Sequence, residues 1–355
     1  MRIYSLNVAV VAIAASVLCS CDHKDLCFDH DSEYTLKTKA EYNLIWHESY
    51  DIYDNYADIN LEWMTEWPEF LDASSDDLCP SEPAGLRVIS IRDDQRLGMS
   101  NISASGGTIP ARSGGEYSLL FYNNDTETIV FDDLESAATT KVTTRSKTRA
   151  SYYGSPYVTT KVENTVTEPD ILFSGYVEAF TPDRSKEVET IEVEMNPIVY
   201  TYVIRYEFES GYQYVALARG ALAGMAESAY LKDGRTTDNP VTILYDCSLT
   251  TNGVIATVNS FGIPGYTPNS TVLDANGNLQ ADPNKYGLNL ELRLRNGETL
   301  TYDFDVTDQV RIQPNGGIIT VGGIVVPDEV GKKGGSGFNV EVKDWGDYRD
   351  IELPL

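Results

Sequence analysis

The stretch "PIVYTYVIRYEFES" spans residues 197–210. Ile198, Tyr200, Tyr202, Ile204, Tyr206 and Phe208 fall on one side of an extended chain, and Val199, Thr201, Val203, Arg205 and Glu207 on the other. Alternation of period two over that many positions is a strand signal, because successive side chains of a strand point to opposite faces. One face must meet a core. Shorter runs of the same character flank it: "YTLKTKAEYNLIWH" (34–47), "GLRVISIRDD" (85–94), "GGTIPA" (106–111), "GEYSLLFYNNDTETIVFDD" (115–133) and "ILFSGYVEAFT" (171–181). Turn-forming residues separate them. The ending carries two more alternating sets, Phe338, Val340, Val342 and then Ile351, Leu353, Leu355.

The segment "GLNLELRLRNGETLTYDFDV" (287–306) reads as a hairpin whose register can be argued. A two-residue Asn-Gly turn would set Leu294 opposite Thr299 and mix faces. A one-residue slip turns every side chain to the wrong side. A three-residue loop, Arg295-Asn296-Gly297, sets Leu292 opposite Leu300, Leu290 opposite Tyr302 and Leu288 opposite Phe304. It also places Gly297 where a type I turn plus bulge needs a left-handed residue. Two other segments read differently. "VALARGALAGMAESAYL" (215–231) is Ala-rich and is expected to form a short helix, against a cost of about 1 kcal/mol for each of Gly220 and Gly224. "SAATTKVTTRSKTRASYYGSPYVTTK" (136–161) is the locally basic region, and a solvated loop is expected there. Its Arg145 and Arg149 are candidate sites for a trypsin-like processing cut.

The chain has 355 residues, room for two domains of roughly 150 each. Hydrophobic residues make up 42%, enough for a core in each half. Every convincing element is a short strand, in two successive blocks, so the fold class is all-β with two tandem β-sandwich domains. The polar break from Pro182 to Glu187 sets the boundary: residues 34–184 form the first domain and 185–355 the second. The formal net charge of −27 leaves no basic stripe that could track a phosphate backbone, so nucleic acid is excluded as a partner. Such acidity suits a soluble, self-repelling extracellular surface.

After Arg2, "IYSLNVAVVAIAASVLCS" is an apolar run without charge, the length of a signal-peptide core and short for a membrane span. It ends in Leu18-Cys19-Ser20-Cys21, which resembles the bacterial lipobox. By that resemblance Ser20 is the last residue removed, Cys21 becomes the acylated first residue, and residues 1–20 are a lipoprotein signal peptide. Residues 21–33 are then an acidic tether. Acyl chains anchor durably, at about 0.8 kcal/mol per buried methylene.

Processing leaves Cys27, Cys79 and Cys247 as thiols. Cys27 and Cys79 are candidates for a disulfide in an oxidising envelope. Cys247, in "VTILYDCSL", reads as a buried small hydrophobe. A zinc site would need Cys21, His23, Cys27 and His30 together, but the spacing matches no common pattern and lipid removes the first ligand. "DANGN" (274–278) lacks the acidic residue that closes a calcium loop and reads as a turn. No G-x-S-x-G, P-loop or H-E-x-x-H occurs, and the histidines all lie before residue 48. No enzyme activity, cofactor or metal is indicated. Trp46, Trp63 and Trp67 are candidate aromatic contacts for a sugar or a partner.

"CDHKDLC" (21–27), "NNDTE" (123–127), "ALAGMA" (221–226), "DVTDQV" (305–310) and "GFNVEVKDW" (337–345) together resemble Bacteroidales fimbrillin-like lipoproteins, a branch near fimbrial stalk and anchor subunits. The resemblance implies transthyretin-like sandwiches, an outer-membrane lipoprotein exposed at the cell surface, and a role in pilus assembly or adhesion through other fimbrial subunits. In stalk subunits an arginine-specific protease removes a first strand, and a neighbour's strand fills the groove. Here no arginine lies between Cys21 and Arg87. An anchor or tip subunit that keeps its lipid fits better than a polymerising stalk. The competing reading is a surface glycan-binding lipoprotein of a nutrient-uptake system.

Overall fold

The computed structural model describes residues 34–46, 78–111, 115–154, 164–183, 189–268, 270, 282–333 and 351–353. The strands, in chain order, are β1 (Tyr34–Tyr42), β2 (Gly85–Arg92), β3 (Gln95–Ser103), β4 (Gly106–Ala111), β5 (Tyr117–Asn123), β6 (Ile129–Asp132), β7 (Lys141–Thr144), β8 (Ser146–Thr148), β9 (Asn164–Val166) and β10 (Phe173–Phe180). They continue as β11 (Glu189–Pro197), β12 (Tyr200–Ser210), β13 (Val215–Ala226), β14 (Ala229–Tyr230), β15 (Pro240–Leu249), β16 (Gly253–Ser260), β17 (Gly287–Leu294), β18 (Thr299–Asp305), β19 (Gly317–Val325) and β20 (Ile351–Leu353). Two short helices, α1 (Thr307–Arg311) and α2 (Asp328–Gly331), are the α-helices among the described residues. The chain is all-β, as its alternation indicates.

The first block closes its sheet into a barrel, β1-β11-β10-β5-β2-β3-β4, where an open sandwich was expected. Closure comes from β1, which pairs with β4 antiparallel and with β11 parallel. Alternate residues fill the interior: Leu36, Leu86, Val88, Leu119, Phe121, Ile191 and Val193 pack together there. The parallel register from Leu36↔Glu189 to Tyr42↔Met195 places β11 in this barrel. The change of block therefore falls at Ile198–Val199, beyond the 184/185 boundary expected from the polar break. The linker residues are buried because the two blocks share a core, in which Ile89, Leu120 and Val142 meet Ile198, Ala226 and Phe261. A small sheet, β14-β7-β6, spans the same junction.

The second block is one long sheet, β18-β17-β13-β15-β16-β12-β19, wrapped around a single core. β15 pairs with β13 through most of its length and with β16 at Ser248 and Leu249. Tyr202, Ile204 and Tyr206 of β12 enter this core, as their alternation requires. The opposite face is covered too: Val203 packs with Ile255, Ile318 and Trp46.

The hairpin forms with the argued register, Leu288↔Phe304, Leu290↔Tyr302 and Leu292↔Leu300. Leu294 N–H donates to the Glu298 carbonyl at 2.8 Å, which leaves three residues in the loop, and Gly297 has φ +88°. The helix expected over 215–231 does not form. Residues 215–226 are β13, held between β15 and β17 and buried on both faces. Its small residues make room. A side chain at Gly220 would come within 2.3 Å of the Tyr245 ring, whose hydroxyl meets that of Tyr206 at 2.7 Å. Tertiary packing overrides weak helix propensity here.

The basic loop expected over 136–161 is also overturned in its described part. β8 pairs with β20 and touches β9, and β9 pairs in parallel with β15. Residues of the first half thus extend the sheet of the second.

Candidate functional site

β10 and β11 are neighbours in the barrel but pair only at Phe173↔Pro197 and Ser174↔Asn196. Beyond those two positions they cross closely and part. Gly175 permits the crossing: a side chain there would lie 2.6 Å from Val193 Cγ2 and 2.7 Å from the Glu194 carbonyl. The parting opens a cleft of about 380 Å³ at the junction of the two blocks. Its floor is buried and largely apolar, formed by Gly175, Val193, Pro197, Ile198 and Tyr200. Its rim is polar, with Glu192, Glu194 and Asn196 from β11 and Lys232 and Asp233 from the second block.

Lys232 bounds one end. Its ammonium lies 4.7 Å over the Tyr176 ring and donates to Glu178 Oε1 at 3.2 Å. That hydrogen bond raises the lysine's pKa above its ordinary value. On the far side of Tyr176 a second recess of about 310 Å³ is lined by Arg92, Glu116 and Tyr117. At the other end the cleft runs on past Tyr42 and Asn43 to Glu41. Burial raises the Tyr42 hydroxyl's pKa, and that hydroxyl donates to the Ala104 carbonyl at 2.8 Å. The lining holds neither histidine nor cysteine. Among the described residues no cluster of His, Cys, Asp or Glu is grouped to hold a metal ion, and no helix is long and apolar enough to cross a membrane.

The residues singled out in the sequence lie elsewhere. Ser20, Cys21, His23, Cys27, His30, Trp63, Trp67 and the "DANGN" turn fall outside the described residues. Trp46 is 4% exposed, packed on Val203, Ile255 and Ile318, with its carbonyl accepting from Thr201 N–H at 2.9 Å. A ring sealed in this way cannot stack on a sugar, so Trp46 is a packing residue and leaves the set of ligand contacts. Cys79 is half-buried beside the same cluster. Cys247 packs against the core of the second block, and burial pushes its thiol pKa up. Arg149 is 4% exposed and donates to the carbonyls of Gly220, at 3.0 Å, and Tyr245, at 3.2 Å. The Arg145 carbonyl accepts from Thr167 N–H at 2.9 Å. A protease that reads arginine must take the guanidinium into its own pocket, which Arg149 does not offer in the folded chain. Sequence reasoning missed the cleft because its consecutive walls, β10 and β11, are completed by residues far off in the chain, Asn43 and Lys232 among them. The outward set Thr190, Glu192 and Glu194, against inward Ile191, Val193 and Met195, was a period-two signal that could have marked its rim.

The profile of the family described as a domain of unknown function, DUF5119, matches residues 77–246. This region runs from the Leu78–Cys79 packing cluster to the end of the β13–β15 pairing, so it takes in most of the barrel and the first strands of the second block. Among solved structures, a candidate adhesin from Bacteroides ovatus is similar with a TM-score of 0.53 at 18% identity, covering 83% of this chain and 94% of that one. The fimbrial anchor protein Mfa2 from Porphyromonas gingivalis gives 0.40 at 11% identity over 81% and 90%. A Bacteroides thetaiotaomicron protein described as a candidate polysaccharide-binding protein gives 0.42 at 9% over 82% and 91%. No curated protein matches this chain. The fold shared with the Bacteroides ovatus protein agrees with the resemblance to Bacteroidales fimbrillin-like proteins.

Proposed function

We propose that this protein is a non-enzymatic, fimbrillin-like lipoprotein of the cell surface, serving as a fimbrial anchor or tip subunit or as an adhesin. The observation that carries the reading is the fold shared with a candidate adhesin over 83% of this chain and 94% of that one. In this reading the signal peptide is cut after Ser20 and lipid on Cys21 holds the chain to the outer membrane. The two blocks are transthyretin-like modules that meet other fimbrial subunits by strand addition. Support for the last step comes from β18 and β19, which end the long sheet and, among the described residues, are each paired on one side alone. The absence of arginine between Cys21 and Arg87 supports a subunit that keeps its first strand. β1 is tied on both sides, to β4 and β11. The test is the intact mass of the protein extracted from outer membranes, with crosslinking in the same preparation. A chain beginning at acylated Cys21 and crosslinked to a pilus-type subunit is expected. A chain without lipid, or one with no such partner, would overturn the proposal.

A further inference from the structure

The cleft between β10 and β11 has a chemistry that none of the comparisons assigns. Its floor is apolar and its rim is acidic. The acids are unevenly compensated, and Asp233 has Arg235 at 4.0 Å. Lys39 serves two of them, Glu41 at 2.6 Å and Glu192 at 3.8 Å. Glu194 is the register partner of Glu41 across the β1–β11 pair, and like charges opposite one another destabilise a sheet. No cation meets Glu194 among the described residues. Lys232 is turned away to Glu178 and Tyr176. A rim of this sign repels phosphate, sulfate and carboxylate ligands. Glu192 and Glu194 stand two residues apart on one strand face, about 6.6 Å. Alternate side chains of an extended peptide have the same spacing. Lysine and arginine lay methylene stems on apolar surface and keep the charge in water, which suits an apolar floor under an acidic rim.

We propose that this cleft docks an extended segment of a partner protein carrying lysine or arginine at alternate positions, with the basic heads on Glu192 and Glu194 and their stems on the Val193–Pro197 floor. From the proposed function it takes only that the partner is a protein.

The test uses the full mature chain and a fluorescent peptide of sequence Lys-Thr-Lys-Thr-Lys, read by anisotropy, beside counterparts carrying glutamine or glutamate in place of lysine. The lysine peptide is expected to bind and the other two to fail. Raising salt from about 0.05 to about 0.3 M should weaken binding, because the rim is exposed. The double substitution Glu192→Lys with Glu194→Lys is expected to weaken it by about tenfold or more. Both side chains are exposed, so the fold should survive. Glu298→Lys, in the distant hairpin loop and equally exposed, changes charge in the same sense and should leave binding unaltered. Equal binding of the lysine and glutamine peptides would overturn the proposal. So would indifference to the double substitution, an equal loss with Glu298→Lys, or capture of a neutral glycan with no peptide bound. Any of these would leave the anchoring reading to its own mass measurement.

Discussion

The hairpin of β17 and β18 and the stretch that holds β7, β8 and β9 are both strand-forming, yet they are built on opposite terms. In the hairpin the contacts that set the register are local. Three leucines face Leu300, Tyr302 and Phe304 across a three-residue loop, and parity alone sets the register. In β7, β8 and β9 most of the pairing is with strands farther off in the chain. β7 lies between β6 and β14, β8 against β20, and β9 against β15. Those strands are three or four residues long and made of Thr, Ser, Lys, Val and Asn. Polar anchors hold them in place: Arg149 on two carbonyls of the β13–β15 pair, and Thr144 on Thr167 at 2.8 Å. Apolar alternation makes a strand that can be read from its own sequence. Polar stitching makes one that can be read only from its partners.

The two regions meet at one buried ion pair, where the largest effect is expected. Glu291 of the hairpin accepts from Arg219 of β13 at 2.8 Å, and Arg219 also donates to Ser151 of the stitched stretch. Both charged side chains are 2% exposed. Glu291→Ala strands a buried guanidinium and should lower unfolding stability by about 3–5 kcal/mol in a denaturant titration. An effect as small as that of a surface substitution would mean that the pair does not join the two regions.

Glu168, just past β9, tests the stitch by pH. Burial pushes its carboxyl up to about 7, with the Asn259 amide and Lys147 opposing and Asp246 adding to the rise. A carboxyl whose folded value stands above the ordinary 4.5 holds its proton more tightly when folded. Its contribution is therefore full below that ordinary value and is lost as the pH rises through the folded one. Glu168→Gln should raise stability by about 2 kcal/mol on the alkaline side and have little effect on the acid side. Stability curves of the two proteins across that range check it. Parallel curves would place Glu168 in contact with water.

The smallest effect belongs to the hairpin loop. Gly297 has φ +88° and open space around its α-carbon, so Gly297→Ala meets only backbone strain. A loss of about 1 kcal/mol is expected by thermal unfolding. No loss would mean that the loop relaxes to another turn.

The same division explains what was legible in the sequence. β12, the hairpin and the barrel strands β2, β5 and β10 announce themselves by alternation, because burying one face leaves a period. β13 does not, because both its faces are buried, and Ala and Gly at those positions mimic helix composition. β11 lies beyond a polar break, but its partner is β1 at the far end of the barrel, so the break marks no boundary. For the site, Glu192 and Glu194 were visible as the outward half of an alternating strand. Their meeting with Lys232 and Asp233 depends on the junction of the two blocks, for which no local pattern exists.

Residues 146–154 and 164–166 belong structurally to the second block, with Arg149 as their buried anchor. Digestion of the folded protein by an arginine-specific protease, with fragment masses followed over time, tests it most directly. The bond after Arg149 should resist until denaturant unfolds the whole chain, while exposed arginines such as Arg295 and Arg235 remain open to attack. Early cleavage after Arg149 under native conditions would contradict it.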